Sequence, residues 1–345
     1  MTSSEFVTLK EITTQTTAWA EAIERATALA SEIRGLAIGR QRQVMCVGCG
    51  STYYLALSAA SLLQSRTGVV ARAFPASELL LNPRGAYVDG RSVLVAISRS
   101  GATSETLRAV ADFKAKRLGK VIVLTNDADS PLAARGDIVL AMAKGQERSV
   151  AQTRSFASMH VAAAAIADLV GPAPLGDAYK EELIACGDRV IHDYDEVARK
   201  LGTDNQISQI FFLGSGPRHG LASEASLKLK EMTQTVSEPF HFFEFRHGPI
   251  SMVDERTLVV GMVSEESYGY EMPVMEEVRG LGGRTLTIGE KGTDIELASG
   301  IVEYARNVLY LPVLQLFAYH RAVANGKNPD RPRHLSSVVE LHLNA

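Results

Sequence analysis

The sequence is poor in cysteine, has almost no excess of charge, and contains no long hydrophobic run. Three cysteines in 345 residues cannot build a disulfide framework and suit a reducing compartment. A net charge of −3 without any basic run lacks the electrostatic footprint of a nucleic-acid binder. The basic residues between Lys114 and Lys120 read as helix surface. No uninterrupted apolar stretch reaches the ~18 residues of a membrane helix. The opening Met-Thr-Ser-Ser-Glu-Phe has neither the basic start nor the apolar core of a signal peptide. The expectation is a cytoplasmic protein that binds neither membrane nor nucleic acid. Eight scattered histidines offer no metal-ligand spacing, so no metal and no other cofactor is expected. Cys46-Val-Gly-Cys49 has the spacing of a redox pair. Cys46, however, closes an apolar strand pattern and Cys49 opens a Gly-rich turn, which argues against that role.

The residues that are present describe an ordinary globular chain, 46% hydrophobic and 22% charged, of a length that fits about two domains. Two segments share one design. Val44-Met-Cys-Val-Gly-Cys-Gly-Ser-Thr52 reads as a buried strand, a Gly turn and a helix through Gln64; Ile210-Phe-Phe-Leu-Gly-Ser-Gly-Pro217 repeats it. Further strands follow in each half: Ser92–Ser98 and Lys120–Thr125 in one, Thr257–Val263 and Arg284–Ile288 in the other. Gly48 and Gly214 stand 166 residues apart (214 − 48), as do Ser98 and Ser264 (264 − 98), so an α/β unit has been duplicated. Short apolar strands alternating with helical patterns predict parallel sheets covered by helices on both faces. Helices are expected near Leu9–Arg34, Ala76–Leu81, Thr103–Arg117, Thr153–Val170, Leu175–Leu201 and Tyr268–Leu281, with a boundary near residue 200.

In open α/β sheets, ligands sit beyond the carboxyl ends of the strands, where helix N-termini present amide donors suited to phosphate. The first half has two hydroxyl-rich turns there, Gly50-Ser51-Thr52 and Ser98-Arg99-Ser100-Gly101-Ala102-Thr103. Arg99 offers a forked cationic contact. The competing reading is that Ser98, Ser100 and Thr103 only cap the next helix. The matching turn of the second half, Val263-Ser-Glu-Glu-Ser-Tyr268, is acidic and would repel phosphate, so one phosphate per chain is expected. A dinucleotide site is disfavoured: Tyr53 occupies the third glycine position of the Gly48-Cys-Gly50 pattern, and no acidic residue appears ~20 residues on.

The second half carries Glu224-Ala-Ser-Leu-Lys-Leu-Lys-Glu231 and, sixteen residues later, His247 ahead of Gly248-Pro249. Lys228 and Glu231 share one helix face. A carboxylate, an amine and an imidazole able to converge suit proton transfer beside a carbonyl. Taken alone, Lys-Leu-Lys-Glu is more often a solvated helix face, and only the surrounding architecture favours the catalytic reading.

Taken together, these motifs resemble the sugar isomerase (SIS) domain, present twice. The chain is similar throughout to the isomerase half of the glucosamine-6-phosphate synthases and to the related deaminases and deglycases. Besides the segments above, the resemblance rests on Leu9-Lys-Glu-Ile, Glu147-Arg-Ser-Val-Ala151, Arg246-His-Gly-Pro249, Leu314-Gln-Leu-Phe-Ala-Tyr-His320 and Asp330-Arg-Pro-Arg-His-Leu335. It implies tandem three-layer αβα domains over residues 1–200 and 201–345. It further implies that Ser51, Thr52, Ser98, Ser100 and Thr103 hold a hexose or hexosamine 6-phosphate, and that Val150 and Ala151 touch the sugar. Glu231 would be the C1–C2 base, Lys228 the group assisting at O1, and His247 the ring-opening residue, donated across a homodimer interface.

Several departures from the synthase pattern shape the functional expectation. The isomerase-like pattern starts within the first ten residues, so no glutaminase region is expected; Ser337 stands where the synthases carry a tail lysine, and Gln152 and Arg154 replace a small hydroxyl residue and a lysine. Phe242 and Phe243 are bulkier than the family's residues there, which would either narrow the amine side of the pocket or serve core packing. The expected activity is an aldose–ketose isomerase that deaminates glucosamine 6-phosphate to fructose 6-phosphate. The alternatives are a fructosyl-amino-acid 6-phosphate deglycase and, from another class, a non-catalytic sugar-phosphate sensor.

Overall fold

The computed structural model describes residues 6–88, 90–176 and 178–336. The chain forms two compact units. The first holds Gln15–Glu147 and Arg154–Lys180. Its sheet is built from β1 (Gln43–Gly48), β2 (Ala71–Pro75), β3 (Ser92–Ile97), β4 (Gly119–Thr125) and β5 (Ile138–Ala141). All pairs are parallel, in the order β2-β1-β3-β4-β5. Every residue of β1 and β3 is buried, as expected of central strands covered on both faces. Met45, Val47, Leu94, Ala96, Val121 and Val123 pack beneath Ala109, Val110 and Phe113 of the helix Ser104–Ala115. The alanine-rich helix Arg154–Leu169 packs against the helices Thr16–Ala28 and Ser51–Thr67.

The second unit holds the helix Val7–Thr13, Arg148–Thr153 and Glu181–Leu335. Its strands are β6 (Gln209–Leu213), β7 (Val236–Phe240), β8 (Thr257–Met262), β9 (Arg284–Gly289) and β10 (Ile295–Glu296). They pair in parallel as β7-β6-β8-β9-β10, the order of the first sheet. The duplication inferred from the 166-residue offset is therefore present in the topology. It also reaches backbone detail. A Cβ on Gly48 would lie 2.4 Å from the backbone of Thr52, and one on Gly214 would lie 2.5 Å from the carbonyl oxygen of Arg218. Gly50 and Gly216, the next glycines, have φ of +56° and +57°. Glycine is thus required twice in each strand-to-helix turn.

The helices expected at Thr103–Arg117, Thr153–Val170 and Tyr268–Leu281 form within two residues of those limits, as Ser104–Ala115, Arg154–Leu169 and Tyr268–Gly280. Four expectations change. The leading helix is not continuous but divides into Val7–Thr13, Thr16–Ala28 and Ala30–Gly35. At its first break, the hydroxyls of Thr13 and Thr14 bond back to the carbonyls of Leu9 and Lys10, competing with the helical ladder. The short helix begins at Glu78, not Ala76, and ends at Leu81, ahead of Pro83. The connecting helix runs Tyr179–Thr203. β5 and β10 are added at one edge of each sheet, and a further strand, β2 or β7, follows the helix after the glycine turn of each half. β2 and β7 are sheet edges and both contain proline (Pro75, Pro239), which an edge tolerates because one side needs no ladder bond. Ser337 lies outside the described residues.

Among the described residues no helix is long and apolar enough to cross a membrane, and no cluster of His, Cys, Asp and Glu could hold a metal ion. Cys46 is buried in β1, and burial pushes its thiol up to about 12. Burial also raises the Cys49 thiol. Both sulfurs are thereby kept from thiolate chemistry.

Candidate active site

In the first unit the hydroxyl-rich turns leave the carboxyl ends of β1 and β3, which are paired neighbours. Ser51, Thr52 and Ser98 are buried within them. Part of the hydroxyl set shapes the turns themselves. Thr52 Oγ1 donates to the Cys49 carbonyl at 3.0 Å and accepts the Cys49 N–H at 2.9 Å. Ser98 Oγ accepts the Gly101 N–H at 3.1 Å and stands 3.2 Å from Thr103 Oγ1. Ser100 Oγ accepts the Ala102 N–H at 3.2 Å. Thr103, the N-cap of Ser104–Ala115, makes no side-chain capping bond among the described residues. Capping therefore does not explain these hydroxyls; Ser98 and Ser100 brace the turn. Arg99 Nη1 lies 3.5 Å from the Glu147 carboxylate, which also accepts the Ser155 hydroxyl. Its charge is thus shared with a buried anion, a partner the sequence did not announce.

In the second unit, Val150 and Ala151 sit on a loop held by the Glu11 carboxylate and the Asp330 main-chain carbonyl. Glu11 accepts the Arg148 N–H at 2.6 Å. Asp330 accepts the Val7 and Thr8 N–H groups at 3.0 and 2.9 Å and the Thr8 hydroxyl at 2.6 Å, while its carbonyl takes the Val150 N–H at 3.0 Å. Ala151 is buried and Val150 half-buried.

The helix Pro217–Thr233 carries Lys228 and Glu231. Lys228 is only 2% exposed, which overturns the solvated-face reading, whereas Lys230 points to solvent. The Lys228 ammonium lies 3.4 Å from the Glu224 carboxylate, one turn back, and contacts Glu231, one turn on. A buried cation is thus flanked by two carboxylates along one helix face. Glu224, a further functional candidate, stands four residues before Lys228, a spacing that could have found it. Glu231 keeps an 18% exposed side chain.

His247 ends the short helix Phe242–Arg246 and is exposed. No hydrogen bond joins its ring to Lys228 or Glu231 among the described residues. Phe242 belongs to the second core with Phe245, Val259 and Met275, so packing explains it, while Phe243 is half exposed against the ring of Tyr270. His219 stacks on His241 with ring centroids 3.9 Å apart. Burial, reinforced by His241, pushes the His219 imidazole down to about 4.

The second unit's counterpart of the Ser98 turn follows β8. Ser264 Oγ accepts the Ser267 N–H at 3.0 Å, the bond made by Ser98 and Gly101 exactly 166 residues earlier. Here the turn encloses the carboxylate of Glu303.

A family model, the SIS domain, matches residues 37–169 and 205–317. Glutamine–fructose-6-phosphate aminotransferase [isomerizing] of Pseudomonas aeruginosa is 30% identical over 318 residues, covering 87% of this chain and 52% of that protein. The Pyrococcus horikoshii protein of that name is 29% identical, covering 98% of this chain and 58% of its own. The chain thus spans about half the length of the curated relatives it matches. Among solved structures, glucosamine-6-phosphate deaminase from Thermotoga maritima aligns with a TM-score of 0.83 and 27% identity, covering 97% of this chain and 99% of that one. Tagatose-6-phosphate ketose/aldose isomerase from Escherichia coli shares the fold at a TM-score of 0.83 and 23% identity, over 97% and 99% of the two chains.

Proposed function

The chain belongs to the SIS domain family, and from that membership we propose that it is a phosphosugar isomerase acting on an amino sugar phosphate. The substrate we propose is glucosamine 6-phosphate, converted with water to fructose 6-phosphate and ammonia. The observation that carries the catalytic reading is the buried Lys228 held between Glu224 and Glu231. A buried ammonium with a partly exposed carboxylate beside it supplies a proton acceptor and a fixed positive charge on one rigid face.

In this reading the phosphate is held by Ser51, Thr52, Ser98, Ser100 and Thr103, with Arg99 adding charge, and Val150 and Ala151 touch the sugar. His247 opens the ring, passing the O1 proton to the ring oxygen so that C1 becomes an aldehyde. Glu231 takes the C2 proton while Lys228 steadies the negative charge that develops on O1. Returning the proton to C1 leaves an imine at C2, and water displaces its nitrogen as ammonia. The exposed, unattached ring of His247 supports donation of this residue to a second copy, and hence a homodimer.

The test is to incubate the purified protein with glucosamine 6-phosphate and measure ammonia and fructose 6-phosphate together. Equal amounts of both are expected. If the folded protein binds the sugar phosphate but releases neither product, the deaminase reading fails. Release of an amino acid from a 6-phosphorylated fructosyl-amine would then assign the machinery to a deglycase.

A further inference from the structure

The turn after β8 holds an anion that belongs to the protein. Glu303 opens the short helix Glu303–Arg306, far from the turn in sequence, yet both oxygens of its carboxylate accept hydrogen bonds from the turn. Ser264 Oγ donates to Oε1 at 2.7 Å. The backbone N–H groups of Glu265 and Glu266 donate to Oε2 at 2.9 and 3.2 Å. The buried Arg218 guanidinium completes the set on Oε1. Two successive main-chain amides, a hydroxyl and a guanidinium form an anion-binding nest at the head of the helix Tyr268–Gly280.

The turn that forms this nest has positional counterparts in the first unit, although the Arg218 guanidinium falls opposite the Thr52 hydroxyl, which bonds the Cys49 backbone. Ser264 corresponds to Ser98, Ser267 to Gly101 and Arg218 to Thr52, all at the 166-residue offset. We propose that the second unit retains an oxyanion-binding site from the duplication, that the chain's own Glu303 carboxylate is its permanent ligand, and that without Glu303 the site takes a small free carboxylate such as acetate. That the site is inherited from the duplication rests on the phosphate reading of the first unit; the binding of a carboxylate here does not, because every contact it uses lies in the second.

The class of ligand follows from charge. Arg218 and Arg306 are the cations at the nest, while Glu265, Glu271 and Glu290 lie against them. A single negative charge is what Glu303 contributes there, so a monocarboxylate replaces it without adding to the excess of anions. Access exists too: Glu303 lines a surface cleft of about 350 Å³ with Glu266, Gly300 and Val302.

The experiment uses the full chain with Glu303→Ala, Glu303→Gln and the unchanged protein. Carbon-13 acetate is followed by saturation-transfer NMR, and unfolding is measured in sodium acetate and in sodium chloride of equal concentration. Glu303→Ala is expected to bind acetate saturably, one per chain. At acetate ten times its dissociation constant, its folded-to-unfolded ratio should rise about elevenfold relative to chloride. Glu303→Gln, which still fills the space, and the unchanged protein should show neither effect. Acetate acting on Glu303→Ala no more than on the unchanged protein overturns the proposal. Should Glu303→Ala be unfolded in chloride, recovery of its fold on adding acetate supports the proposal, and failure to recover overturns it. Absence of phosphate binding to the unchanged protein would count against the first unit's proposed site and leave this result intact.

Discussion

Replacing Lys228 and replacing Glu231 should damage the protein in different ways, and the geometry sets the sizes. The Lys228 ammonium is buried between Glu224, 3.4 Å away, and Glu231. In Lys228→Met both carboxylates remain on one helix face and lose this cation. Removing one partner of a buried ion pair costs about 3–5 kcal/mol. In Glu231→Gln the ammonium keeps Glu224, and the lost partner is partly exposed, so the cost is about 1–2 kcal/mol. Turnover should fall in both variants, and Glu231→Gln, with its fold nearly intact, isolates the chemical loss. Loss of the proposed base should slow glucosamine 6-phosphate conversion by about 10²–10⁴-fold, or about 3–5 kcal/mol of barrier. Urea unfolding gives the stabilities, product release gives the rates, and calorimetric titration shows whether the sugar phosphate still binds. A Glu231→Gln protein that retains a tenth of normal turnover would refute the assignment of this carboxylate. A Lys228→Met protein as stable as Glu231→Gln would refute the argument from burial. A sensor, unlike a catalyst, would be indifferent to Glu231→Gln.

Three further outcomes follow from single residues. His160 is buried with a Ser58 hydroxyl 2.9 Å away, and burial pushes its imidazole down to about 4. The unfolded chain, with an ordinary value near 6.5, takes up that proton first, so this stabilisation is complete above the unfolded value and is lost as pH falls toward the folded one. His160 should therefore cost the fold about 2 kcal/mol between pH 7 and pH 5, and His160→Gln should remove that part of the slope in urea titrations run across the range. Gly48→Ala should destabilise by about 2 kcal/mol or more, because its new methyl would meet the Thr52 backbone at 2.4 Å; calorimetry showing an unchanged melting temperature would contradict this. Ser98→Ala should raise the KM for the sugar phosphate about tenfold with a smaller change in kcat, since a charge-assisted hydrogen bond is lost along with the brace on Gly101. Steady-state kinetics with equal KM would count against Ser98 as a phosphate ligand.

The central strands were readable because strands buried on both faces must be apolar throughout, as Val44–Val47 and Leu258–Met262 are. The repeat was readable because Gly48 and Gly214 cannot be exchanged without a clash. Ala71-Arg-Ala-Phe-Pro75 and Val236-Ser-Glu-Pro-Phe240 could not be read this way: an edge strand needs one partner and little burial, so neither periodicity nor composition marks it. Lys228 and Glu231 were legible from helical spacing. Glu147, Glu11, Asp330 and Glu303 were not, since each reaches its target through the tertiary fold. The Glu11 carboxylate finds Arg148 across 137 residues and Glu303 finds Ser264 across 39, distances over which sequence carries no spacing rule.

The carboxylate inside the turn after β8 is tethered, and a tethered group cannot be diluted. Its local concentration is set by covalent connection, so that half of the protein keeps its anion whatever the surrounding solution contains. The half built around Ser98 has no such insurance if its occupant comes from the metabolite pool. If the proposed phosphate site is real, added sugar phosphate should stabilise that half by mass action, and its resistance to proteolysis should rise with ligand concentration.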